Sequence, residues 1–90
     1  MITKNKLTVI ETYYGEVDEC LEVYVAYQGK LLVGFGGVEG MTVCDLVSGF
    51  LVGYTIALGK KIPVEYGSIE LEEPMTNLDY ETIKKLYKPD

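Results

Sequence analysis

The chain has 90 residues and a mass of 10.0 kDa, and 48% of its residues are hydrophobic, a content that excludes a disordered chain. Its 14 carboxylates and eight lysines give a formal net charge of −6, and at this length we expect one domain over residues 1–90. Because the sequence contains neither His nor Arg, it excludes imidazole catalysis, His–metal ligation and bidentate guanidinium binding of phosphate.

Three strands are predicted in the first third of the chain. Residues 6–14 alternate loosely and are rich in β-branched and aromatic side chains, as strands are. Residues 20–28 alternate clearly, and their odd-numbered apolar side chains are predicted to face the core. Gln28-Gly29 then turns the chain into an apolar strand at residues 30–35. Since the connections are short, we expect an antiparallel meander.

A long helix is predicted over residues 43–58. Thr42 is placed as its N-cap, with Asp45 three residues later as the capping-box partner, and Gly59 suits the left-handed position that ends a helix. Residues 41–58 carry one charge, which raises the alternative of a membrane span. This segment has the capping residues that helices of soluble proteins have, and strand-like segments lie on both sides of it. We therefore expect a buried core helix.

The remaining elements are a strand and a short helix. Apolar side chains change parity at Gly67-Ser68, which predicts a bent strand with a β-bulge. A second helix is predicted to begin near Asn77 with Thr76 as its N-cap. The order βββαβα indicates an α+β fold. We expect an antiparallel three- to four-stranded sheet packed on one face by one long apolar helix and one short C-terminal helix.

A Gly-rich segment precedes the long helix and contains Gly34, Gly36, Gly37, Gly40 and Thr42. Backbone N–H groups and the dipole at a helix N-terminus favour anions, so these residues form the candidate site for a nucleotide or another anion. The glycine spacing departs from the dinucleotide-binding and Walker A patterns. The alternative is a tight turn with close strand–helix packing.

The long helix carries a candidate interface. Gly49, Gly53 and Ala57 follow an i, i+4, i+8 spacing that lets another backbone approach closely, and Phe50 and Tyr54 are placed with them. The helix is apolar nearly all round, and such helices are covered on most sides. One small sheet and one short helix cover little of it, so we expect a homodimer or a higher oligomer. The alternative is that the second helix and the loops suffice.

Acidic residues gather on the first hairpin at Glu16, Asp18, Glu19 and Glu22. Carboxylates repel nucleic-acid phosphates, so we expect no direct binding of nucleic acid. The same charges suit a basic or nucleic-acid-binding protein as the partner. The alternatives are a charge that only maintains solubility and a hard-metal site, which lacks the spacing of an EF-hand loop.

No residue set indicates catalysis, and no cofactor or metal site is predicted. Cys20 and Cys44 lack metal-binding and CxxC spacing, and both lie in apolar segments, so we expect reduced core thiols in a cytoplasmic protein. The sequence therefore predicts a non-catalytic acidic protein that acts by binding another protein. Small acidic inhibitors of host enzymes or defence systems, of the kind that phages encode, share this character. The alternative is a small-ligand binder at the Gly-rich segment.

Overall fold

A computed structural model describes the chain at residues 2, 4–15, 20–36 and 40–89, and the side chains of residues 40–43 lie outside this description. Strands and helices follow one another in the order βββαβαβ. They are β1 (Leu7–Tyr14), β2 (Cys20–Tyr27), β3 (Lys30–Gly36), α1 (Gly40–Leu58), β4 (Val64–Leu71), α2 (Tyr80–Leu86) and β5 (Lys88–Pro89). The α+β class is therefore confirmed, and a two-residue fifth strand is added to the predicted order.

The five strands form one sheet in the order β3-β2-β1-β4-β5. Neighbouring strands are antiparallel except for β1 and β4, which run parallel over the pairs from Leu7↔Val64 to Tyr14↔Leu71. The prediction of a purely antiparallel sheet was wrong for this pair. The cause is α1, which returns the chain to the edge at which β1 begins, so that β4 runs in the direction of β1.

The two helices pack on opposite faces of the sheet. Val47 of α1 joins a core cluster with Leu7, Val9 and Val25, whereas Ile83 of α2 joins a second cluster on the other face. The second cluster also contains Ile10, Tyr24, Ala26, Ile69 and Leu71. The expectation of helices on one face was therefore wrong. Alternate residues of the central strands are buried on both sides, as in a sheet between two helical layers.

Burial on both faces also explains why apolar side chains occur at both even-numbered and odd-numbered positions of β4. The register of β4 against β1 is continuous, so the predicted bulge at Gly67-Ser68 is absent from the described pairing. A bulge lies instead between β1 and β2, where Tyr13 pairs with Cys20 while Thr12 pairs with Glu22. The buried Thr12 hydroxyl group accepts from the Glu22 N–H and donates to the Glu22 carbonyl oxygen, both at 2.9 Å.

Both helices begin at other residues than predicted. Helix α1 begins at Gly40, so Thr42 lies inside the helix and is not its N-cap. Helix α2 begins after Asp79, whose carboxylate accepts from the Thr82 N–H at 2.8 Å. Thr76 is therefore not the N-cap, because the chain takes a left-handed conformation at Asn77 before it reaches the helix.

Among the described residues, no helix combines the length and the apolar character needed to cross a membrane.

The packing of Tyr87 predicts that Gly67 tolerates no side chain. A Cβ atom at Gly67 would overlap the Tyr87 ring and lie 2.6 Å from the Lys88 carbonyl oxygen. We expect Gly67→Ala to lower the free energy of unfolding by about 2 kcal/mol or more, as overpacking does. The measurement is urea denaturation. Gly34→Ala is the matched control, since its Cβ would meet only the Tyr24 ring edge, at 3.1 Å, and should cost less. Equal midpoints for Gly67→Ala and the wild type would contradict this account.

Candidate functional site: the outer face of helix α1

Helix α1 packs against the sheet through one side only. Phe50 and Tyr54 stack with ring centroids 5.7 Å apart, and each meets an aromatic side chain of the sheet edge to face. The Phe35 and Phe50 centroids are 6.3 Å apart, and those of Tyr27 and Tyr54 are 6.1 Å apart. These aromatic contacts hold the helix over β2 and β3.

The opposite side of α1 is exposed and largely apolar. Val52 is 57% exposed and Ile56 is 73% exposed, which are large fractions for β-branched aliphatic side chains. Asp45, Gly49, Val52 and Ile56 follow the i, i+4, i+7, i+11 spacing of one helical line. We call this surface the outer face of α1. It comprises Asp45, Leu46, Gly49, Val52, Gly53 and Ile56, all of them exposed.

Packing within the described part of the chain does not require the two glycines of the outer face. A Cβ atom added at Gly49 or Gly53 would meet no described neighbouring heavy atom within 4 Å. Each glycine costs about 1 kcal/mol relative to alanine in a helix interior. The predicted interface set therefore divides in two. Gly49, Gly53 and Ala57 are exposed, whereas Phe50 and Tyr54 face the sheet and belong to the core.

The sheet face beside α1 is also incompletely covered. Val64 and Tyr66 lie on the same face as Leu7 and Val9, their partners in β1, yet Tyr66 is 53% exposed. Helix α1 packs against β2 and β3 and leaves these β4 side chains open. Exposed apolar surface is thus present on both the helix and the sheet.

The Gly-rich segment has a different role at each described position. Gly34 and Gly36 lie in β3, opposite Tyr24 and Glu22 of β2. A Cβ atom at Gly36 would lie 2.9 Å from Glu22 Cγ, so these two glycines make room for cross-strand side chains. Gly40 and Thr42 lie within α1, and Gly37 lies outside the described residues. The nucleotide or anion site predicted here stays a prediction.

Glu22 belongs to an internal hydrogen-bond network. Its carboxylate accepts from the Tyr24 hydroxyl and, at 2.9 Å, from the Asn77 N–H. The Leu78 N–H in turn donates to the Tyr24 hydroxyl oxygen at 2.9 Å. Half-buried Glu22 therefore anchors the segment before α2 to the sheet, a role that no local sequence pattern indicates. The other predicted partner-facing acids, Glu16, Asp18 and Glu19, lie outside the described residues.

Burial raises the pKa of two titratable groups on β2, Tyr24 and Cys20. Burial, followed by the hydrogen bond to Glu22, raises the pKa of Tyr24 from 10.0 to about 12. Burial also raises the pKa of the half-buried Cys20 thiol, which disfavours a reactive thiolate. Cys44 is exposed, so the expectation of a core thiol was wrong there. The described residues hold no group of three or more Cys, Asp or Glu side chains that could bind a metal ion.

Lysines gather at one end of the described molecule and carboxylates at the other, with Glu65 near the start of β4 as an exception, and the sequence pattern alone did not reveal this arrangement. The segments before β1 and β4, and the turn between β2 and β3, meet at one end of the sheet. We call this the lysine end, and it carries Lys4, Lys6, Lys30, Lys60 and Lys61. The opposite end, the acidic end, carries Glu22, Asp45, Glu70, Glu72 and Glu73 among the described residues. The longest dimension of the molecule is 40 Å.

Comparison of the chain with protein-family models, with curated proteins and with solved structures gives no match.

The raised pKa of Tyr24 predicts an alkaline transition. Because the folded state raises this pKa from 10.0 to about 12, the hydrogen-bonded phenol contributes its full stability below pH 10 and loses it as the pH rises towards 12. We expect Tyr24 to ionise late in a titration followed by tyrosinate absorbance. Tyr24→Phe should remove the late ionisation and flatten the loss of stability over this interval. An unchanged titration curve in Tyr24→Phe would contradict the network.

Proposed function

We propose that this chain is a non-catalytic protein-binding module whose binding surface is the outer face of α1. The observation that supports this proposal is the exposure of Val52 and Ile56 beside two sterically unexplained helix glycines. Contiguous exposed apolar surface is typical of protein–protein interaction sites. Glycines on that surface let a partner helix approach the α1 backbone more closely than larger side chains would.

The charge distribution favours a second copy of the chain as one partner. In a twofold-symmetric pair with antiparallel α1 helices, the same surface serves both subunits. Asp45 of one copy then approaches the end that holds Lys60 and Lys61 of the other. Attraction between the acidic and lysine ends offsets the repulsion expected between two chains of net charge −6. A homodimer is therefore the assembly that we propose.

The acidic end supports the choice of a further partner. Its carboxylates disfavour nucleic acid and favour a basic or nucleic-acid-binding protein. We propose a cytoplasmic protein that acts by occupying such a partner, in the manner of the small acidic inhibitors that phages direct at host enzymes or defence systems. This last step rests on charge and on analogy of character alone.

Charged substitutions on the outer face test the proposed assembly. We expect Val52→Lys and Ile56→Lys each to convert a dimer into a monomer, because association would bury an unpaired ammonium group. Light scattering coupled to size exclusion measures the mass directly. Met75→Lys is the matched control, since Met75 is also exposed but belongs to the segment that leads to α2 on the opposite face of the sheet, and it should leave the mass unchanged. A wild-type chain that stays monomeric at high concentration would overturn the dimer.

A glycine substitution separates folding from assembly. Gly53→Ala should raise the helix stability of the monomer by up to about 1 kcal/mol, because its Cβ meets no neighbour among the residues that the structure describes. The same methyl group should weaken the close approach of two helices and raise the dimer dissociation constant. Urea denaturation at low protein concentration and sedimentation equilibrium measure the two effects. Unchanged or tighter dimerisation in Gly53→Ala would show that the glycine is no contact point.

A further inference from the structure

The lysine end, which Asp45 of the second copy approaches in the proposed dimer, also contains an open cleft. Its volume is ≈ 420 Å³, within the range of about 300–1,000 Å³ that small-molecule sites occupy. Three lysines line it, Lys4 from the segment before β1 and Lys60 and Lys61 from the segment after α1. No carboxylate is among the described residues that line this cleft. In a chain of net charge −6, it is a local region of positive charge.

The helix dipole alone does not explain these lysines. A cation at position 60 or 61 suits the negative C-terminal end of α1. Lys4, however, belongs to a segment remote in sequence, and it comes to the same cleft only through the sheet topology. Convergence of like charges costs electrostatic free energy unless an anion lies among them. The arrangement therefore suits a negatively charged ligand.

The backbone around the cleft is fixed by hydrogen bonds between elements. The Gln28 N–H donates to the Lys4 carbonyl oxygen at 3.1 Å, and the Leu7 N–H donates to the Pro63 carbonyl oxygen at 2.9 Å. These bonds tie the turn after β2 to the segment that carries Lys4, and the segment after Lys61 to the start of β1. The lysine-bearing segments are thus held in place before any ligand binds, which lowers the entropic cost of binding.

The rest of the lining indicates the shape of the ligand. Exposed Pro63 and the small accessible edges of the buried Tyr27 and Ile62 provide the apolar part of the lining, and Asn5 and Gln28 add side-chain amides that donate and accept hydrogen bonds. We propose that the cleft binds a small organic anion. Its phosphate or carboxylate group meets the three ammonium groups, and its apolar part lies against Pro63 and the accessible edges of Tyr27 and Ile62.

Amide NMR shifts on the full chain test this proposal with four probes. Inorganic phosphate supplies the anionic group alone, and adenosine supplies the ring alone. Adenosine monophosphate combines a ring with a phosphate, and benzoate combines a ring with a carboxylate. We expect adenosine monophosphate and benzoate to shift the amide signals of residues 4–6, 27–30 and 60–62 in a saturable way. Saturation should occur at a lower concentration of these two compounds than of phosphate or adenosine.

Two double-lysine variants supply the control. Lys60→Gln with Lys61→Gln should weaken binding about tenfold or more, the loss expected for charge-assisted hydrogen bonds. Lys84→Gln with Lys85→Gln changes the net charge equally but on α2, and it should leave binding unchanged. Equal losses in both variants, or no saturable shift with any anion, would overturn the proposal. Light scattering on both variants ensures that they are compared in the same oligomeric state.

Discussion

The parallel pairing of β1 with β4 is the constraint on which the rest of this structure depends. Two parallel neighbours cannot be joined by a tight turn, so the chain must cross from one end of the sheet to the other between them. Helix α1 makes that crossing. Its C-terminal end therefore lies where β1 and β4 both begin, and its outer side is left without a neighbour in the described chain. The separated charges and the lysine cleft are consequences of this one pairing.

Much of the local structure could be predicted from the sequence. Strands β1 to β3, helix α1 and the strand before α2 lie close to their predicted positions, because alternating and continuous apolar runs are local signals. The partner of β4 could not be predicted, since no local pattern states which non-consecutive strands pair. Tyr24 and Ala26 were also interpreted as the solvent side of β2. They are buried because α2 and the segment before it cover the second face of the sheet.

The candidate site was predicted in part. The apolar character of α1 led to the expectation that the chain's own sheet and second helix cover only part of it, and the described structure does leave Val52 and Ile56 exposed. The sequence could not separate Phe50 and Tyr54 from the glycines, because an all-apolar helix gives no indication of which side meets the sheet. The lysine cleft was missed for a different reason. Lys4 and Lys60 are far apart in the chain, and only the fold brings them to one end.

The shortness of β5 has a consequence for the sheet edge. Within the described residues, β5 pairs with β4 only at Gly67 and Ser68, while β4 itself runs from Val64 to Leu71. An unpaired strand rich in β-branched and aromatic residues is a template on which foreign chains can add. Lys88 and Pro89 occupy the middle of that template and thereby interrupt it. Without this pairing, the outer edge of β4 would offer the backbone N–H and C=O groups of an eight-residue strand to another chain, with the charges of Glu65 and Glu70 left to oppose such pairing.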